Sequence, residues 1–153
     1  MRLSTMTKNE KNDLFFVCSI IEFIGRYTKN RNSDIVMQIG KVELLRQLKA
    51  ASVNHCLTFE EVADDLIKFS GIKNGDFDSV GRCQYKVPSD TSIGKVYRDL
   101  ILDVKKEEDD VIDVLYEVFT SFISDEISNF NSSAYYENPS YLKHSYLKGY
   151  MLD

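Results

Sequence analysis

The sequence predicts an all-α fold, one helical domain over residues 1–153 built as a compact bundle of about six helices. Three observations predict it. Apolar residues recur every three to four positions through most of the chain, the spacing that lines one face of an α-helix. Only two prolines and seven glycines interrupt 153 residues, which favours long regular elements. Hydrophobic residues make up 43% and charged residues 28%, enough for a core and a solvated surface in a chain of single-domain length. Nine Tyr and nine Phe supply large apolar surfaces where tryptophan is missing.

Thr7-x-x-Glu10 has the form of a capping box and opens the first helix, over residues 8–28. Leu14, Val17, Cys18, Ile21 and Ile24 form one stripe on it. Phe15, Phe16, Ile20, Phe23 and Tyr27 cover much of the rest, so it reads as the central helix, buried on several sides. Ser33 is placed to cap a short helix through Ile39, with Gly40 as a left-handed stop. A helix over about residues 41–52 follows, with Val42, Leu45, Leu48 and Ala51 inward and Leu44 beside them. Thr58-x-x-Glu61 is a second capping box. Its helix carries Phe59, Val62, Ala63, Leu66, Ile67 and Phe69 and stops at Gly71.

Residues 71–90 break the pattern. Asn74-Gly75 and Val80-Gly81 are turn signals, and Cys83–Val87 alternates, so either a small hairpin or an irregular ordered loop is expected. Ser89, Asp90 or Thr91 then caps a helix with Ile93, Val96, Tyr97, Leu100, Ile101 and Val104 on one face. Glu107–Asp110 suits the positive start of the next helix, which carries Val111, Val114, Leu115, Val118 and Phe122 with Ile112, Phe119, Ile123 and Ile127 alongside. A tyrosine-rich C-terminal arm over about residues 134–153 holds a last short helix begun by Pro139 and Ser140.

The most apolar early stretch, Leu14–Ile24, contains Glu22 and no small-residue cleavage site, and no run approaches the ~20 apolar residues of a membrane span. A soluble, cytoplasmic protein with no membrane partner is the expectation. Cys18, Cys56 and Cys83 are odd in number and widely spaced, which fits a reducing compartment. The charge is asymmetric: nine Lys/Arg against five Asp/Glu in residues 1–59, ten against nineteen in residues 60–153. Such polarity either faces charged partners or joins the chain's own halves.

The candidate sites are few. His55, Cys56, Cys83 and His144 lack the close ligand pairs of a zinc site, and Cys18 lies on an apolar helix face, so no cofactor, metal or catalytic residue is assigned. Glu60, Glu61, Asp64 and Asp65 open one helix, and Glu107, Glu108, Asp109, Asp110 and Asp113 another. They complement helix dipoles, hold Mg²⁺ in i, i+4 pairs, or dock a basic partner. Arg26, Lys29, Arg31, Lys41, Arg46 and Lys49 surround two helices joined at Gly40, a layout that loosely resembles a helix-turn-helix. The pI near 5.1 argues against nucleic acid. Gly94-Lys95 at a helix start is either an anion site or a tight packing contact, the latter preferred. Tyr135, Tyr136, Tyr141, Tyr146 and Tyr150 either fold back on the helices or dock a partner protein.

Five stretches taken together carry a resemblance: Asn9–Cys18, Val62–Ile67, Lys73–Asp78, Ile93–Tyr97 and Asn131–Tyr141. They resemble a family of small uncharacterised proteins of Gram-positive and gut bacteria, over nearly the whole chain. The resemblance implies genes placed beside toxin–antitoxin-like genes, ADP-ribosyltransferase-like toxins among them, and so a partner-binding role. It assigns no catalytic residue. The expected function is a non-enzymatic protein-binding component, an antitoxin, immunity or accessory protein whose partner is another protein such as a toxin. The alternatives are an enzyme with a site near residues 71–98, lined by Tyr85, Lys95, Tyr97 and Arg98 with the acidic residues of the fourth helix, or a nucleic-acid-binding helical protein.

Overall fold

The computed structural model describes residues 6–54 and 56–152. Nine α-helices occur among them: α1 (Lys8–Thr28), α2 (Asn32–Ile39), α3 (Lys41–Asn54), α4 (Phe59–Ser70), α5 (Ser79–Arg82), α6 (Asp90–Val104), α7 (Val111–Phe119), α8 (Phe122–Ser128) and α9 (Pro139–Lys148), with a 3-10 turn at Ala134–Tyr136. The all-α class is as expected. The count of about six is corrected, for two local reasons. In the loop, the Asp78 carboxylate accepts from the Gly81 amide at 2.8 Å and closes the single turn α5. In the helix after Asp110, the Thr120 and Ser121 hydroxyls donate back to the Tyr116 and Val118 carbonyls, each at 2.7 Å. Ser121 Oγ also accepts from the Ile123 amide and caps a new helix, α8. Hydroxyls that compete for backbone partners end one helix and begin another.

Both capping boxes form, at Thr7/Glu10 and Thr58/Glu61, and Gly71 terminates α4 in the left-handed conformation. Helix α2 starts two residues earlier than a Ser33 cap implies. Its N-cap is Arg31, which makes no side-chain cap bond. Gly40 does take a positive φ of 83°, but with ψ of 160°, an extended turn that leads straight into α3. That turn sets the phase of α3. Leu44 and Ala51 point inward with Glu43, whereas Val42 is 80% exposed, contrary to its expected inward place.

The most extensive helix–helix packing is that of α1 against α6. Leu14, Ile21 and Ile24 of α1, Ile93, Leu100 and Ile101 of α6, and Leu115 and Ile123 of α7 and α8 are essentially removed from water. Gly94 sits where these helices press together. A Cβ there would fall on Ser19 Oγ and 2.9 Å from Ser19 Cα, so Gly94 is the packing contact rather than an anion site. Tyr97 is fully buried, stacked on Phe119 with centroids 3.9 Å apart, its hydroxyl 3.0 Å from Ser124 Oγ.

No strand occurs among the described residues, so of the two alternatives for residues 71–90 the irregular loop is the one that forms, not the hairpin. The loop pairs with the end of α1 instead: the Gly75 and Phe77 amides donate to the Thr28 and Lys29 carbonyls, both at 2.8 Å. Asn30 Nδ2 donates to the Lys73 carbonyl at 2.8 Å. A Cβ at Gly75 would lie 2.6 Å from the Lys29 carbonyl oxygen, which explains the glycine.

Candidate interaction groove

The start of α1, the exposed side of α3 and the α6–α7 connection enclose a groove of about 500 Å³. Its lining joins four apolar side chains, Met6, Leu45, Leu48 and Val111, to five carboxylates, Glu10, Asp13, Glu107, Asp109 and Asp110, against two lysines, Lys49 and Lys105. Helix caps place two of these acids, Glu10 and Asp110, and the turn before α7 places a third, Asp109. Glu10 accepts from the Thr7 amide at 2.8 Å, Asp109 from the Lys106 amide at 2.9 Å and Asp110 from the Ile112 amide at 2.9 Å. The Thr7 amide, followed by its hydroxyl, holds the Glu10 carboxyl below its ordinary range. The caps satisfy the helix starts and also gather negative charge beside apolar surface. Asp13 and Lys49 form no ion pair among the described residues.

The basic stretch, by contrast, is largely neutralised within the molecule. Arg26 meets Asp90 at 3.3 Å, Lys29 Asp78 at 3.9 Å, Arg31 Asp125 at 3.1 Å and Lys41 Asp113 at 3.0 Å. Arg46 pairs with Glu43 at 3.0 Å, leaving Lys49 as the member of the set without a carboxylate among the described residues. The first four pairs join the basic front of the chain to its acidic remainder. The charge asymmetry is thus partly consumed in holding the fold, and few cations are left for phosphates.

The tyrosines of the arm divide. Helix α9 packs on α6, and Tyr135, Tyr141 and Tyr146 lie against the core. The Tyr141 hydroxyl donates to the Leu152 carbonyl, and the Leu152 amide to Ser145 Oγ at 3.1 Å, which ties down the chain end. Tyr136 and Tyr150 are exposed, at 69% and 60%. The arm folds back, and two of its five tyrosines remain at the surface.

The alternative enzyme residues do not converge. Tyr97 has no exposed surface, Arg98 pairs with Asp99 at 2.9 Å and stacks over Phe15, Tyr85 is exposed, and Lys95 lines a small cleft with Asp99 and Pro139. Cys18 is buried, and burial pushes its thiol up. Cys83 donates from Sγ to the Tyr85 carbonyl, Cys56 and His144 are exposed on separate elements, and His55 lies outside the described residues. Among the described residues no three His, Cys, Asp or Glu side chains are arranged to hold a metal ion, the Glu60–Asp65 cluster of α4 included. Nor is any helix among them long and apolar enough to cross a membrane.

Two features escape sequence reasoning. One is a buried polar cluster at the C-terminal half of α1. Glu22, 2% exposed, accepts from Arg26 Nε and Asn32 Nδ2, each at 2.7 Å. Burial pushes its carboxyl up, against the pull of the Arg26 guanidinium and the Asn32 amide. A lone acid inside an apolar helix face was the signal for it. The other is a cleft of about 460 Å³ between the start of α2, the 77–82 segment and the end of α8, where Arg31 and Arg82 share the Phe77 ring. Its residues are scattered, and no spacing announces them. No protein-family model, curated protein or solved structure matches the chain.

Proposed function

We propose that the chain is a non-enzymatic, cytoplasmic protein-binding component of a bacterial conflict system, an antitoxin, immunity or accessory protein. The groove at the start of α1 is the surface that carries the reading. Apolar side chains bordered by five carboxylates fit a basic amphipathic segment of another protein. Such a segment buries its apolar stripe on Leu45, Leu48 and Val111 while its lysines or arginines meet the acids around them. Tyr136 and Tyr150 offer further contact area on the arm. The toxin-linked context comes from the family resemblance of the five sequence stretches.

Co-expression with the proteins encoded on either side of the gene tests this. The expected result is a stoichiometric complex that forms with the wild-type chain and is depleted by Asp13→Lys, a change in the groove that touches no helix cap. Absence of any stoichiometric complex, or a complex indifferent to Asp13→Lys, would overturn the proposal.

A further inference from the structure

The cleft at the far end of α1 from the groove has the chemistry of an anion site. Helix α1 has 21 residues, so the two sites are separated by about 30 Å of helix. Arg31 and Arg82 place their guanidinium carbons 4.4 and 5.2 Å from the centroid of the same Phe77 ring. Arg31 is partnered by Asp125 at 3.1 Å, whereas Arg82 has no carboxylate among the described residues. The cleft thus carries two cations and one carboxylate among the described residues. Helix α2 adds positive potential: its N-cap residue is Arg31 itself, and no side chain caps its first amides.

The cleft is also held in shape. Asn131 clamps the Arg82 segment at two points, donating from Nδ2 to the Arg82 carbonyl at 2.9 Å and accepting from the Gln84 amide at 2.8 Å. The Phe77 amide is fixed to the Lys29 carbonyl at 2.8 Å. A preformed cavity of about 460 Å³ with aromatic walls, Phe77 and Phe130, and the amide of Asn129 falls in the size range of small-molecule sites. The guanidinium fork suits a phosphate, because its paired N–H groups match two phosphate oxygens.

We propose that this cleft binds a phosphate monoester of mononucleotide size, with Arg82 and Arg31 on the phosphate and the aromatic walls and Asn129 on the organic part. The reading is independent of the partner groove, and no reaction is assigned to it.

The test is titration of the full chain, in low salt, with AMP, ribose 5-phosphate and inorganic phosphate, followed by calorimetry and by amide NMR. The expected result is saturable AMP binding, weaker binding of the two smaller anions, and shifts confined to residues 31–33, 77–82 and 128–131. Arg82→Gln removes a side chain whose contact is the Phe77 ring, so the variant folds, and it should weaken AMP binding about tenfold or more. Arg31→Gln should weaken it as well. No saturation at millimolar AMP, equal binding by wild type and Arg82→Gln, or shifts spread over other basic surfaces would each overturn the proposal.

Discussion

Replacing Gly94 by Ala reads the α1–α6 packing through the sign of a stability change. On an open helix face, glycine to alanine stabilises by about 1 kcal/mol, because alanine loses less backbone entropy. Here the added Cβ would land on Ser19 Oγ and 2.9 Å from Ser19 Cα. The hydroxyl can rotate away, but the Ser19 backbone belongs to a helix packed along its length, so the helices must part by a few tenths of an ångström. Overpacking of this kind costs about 1–3 kcal/mol. Set against the propensity gain, the expected net loss is about 1 kcal/mol, or roughly 2–4 °C in Tm for a chain of this size. Thermal and urea unfolding of both proteins supply the measurement. Ser19→Ala alone should be neutral or mildly stabilising, since its hydroxyl is buried without a partner. Added to Gly94→Ala it should rescue only part of the loss, because the new methyl group still presses on the Ser19 backbone. A Gly94→Ala protein more stable than wild type would refute the close approach and the helix pairing derived from it.

Two further outcomes follow from the buried polar groups. The folded chain raises the Glu22 carboxyl above 4.5, so the native state binds that proton more tightly than the unfolded state does. The Glu22 contribution to stability therefore falls as pH rises from about 4.5 through the native value. The difference in unfolding free energy between wild type and Glu22→Gln, measured in urea across that window, should shrink with rising pH. At a fixed pH the variant should still be weaker by about 1–3 kcal/mol, because a Gln amide turns a donor toward Arg26 or Asn32. Parallel pH curves would contradict the assignment. Tyr97→Phe keeps the stack on Phe119 and loses the hydroxyl bond with Ser124, an expected cost of about 1 kcal/mol by the same assay.

Local features of this fold were legible in the sequence. Thr7/Glu10 and Thr58/Glu61 close their boxes within four residues, and Gly71 ends α4 through its own backbone freedom. The break between α7 and α8 was not, since Thr120 and Ser121 are tolerated inside a helix and end this one only by bonding back to Tyr116 and Val118. Val42 reads as core by its apolar side chain, but the Gly40 turn sets a helix phase that local spacing does not encode. The acids at 107–110 stand out as a run. Their meeting with Glu10 and Asp13 over Leu45 and Leu48 is a product of tertiary packing, as is the convergence of Arg31, Phe77 and Arg82.

The most direct measurement of the central claim is a fluorescence-anisotropy titration of the groove with a labelled amphipathic helix of leucine and lysine, beside a leucine–glutamate control peptide. The lysine peptide should bind and the glutamate peptide should not. Asp13→Lys should weaken binding and Lys49→Glu tighten it, each by about three- to tenfold, from roughly 1 kcal/mol per exposed charge pair changed. Binding that ignores both substitutions, or that favours the glutamate peptide, would contradict a groove built for a basic partner.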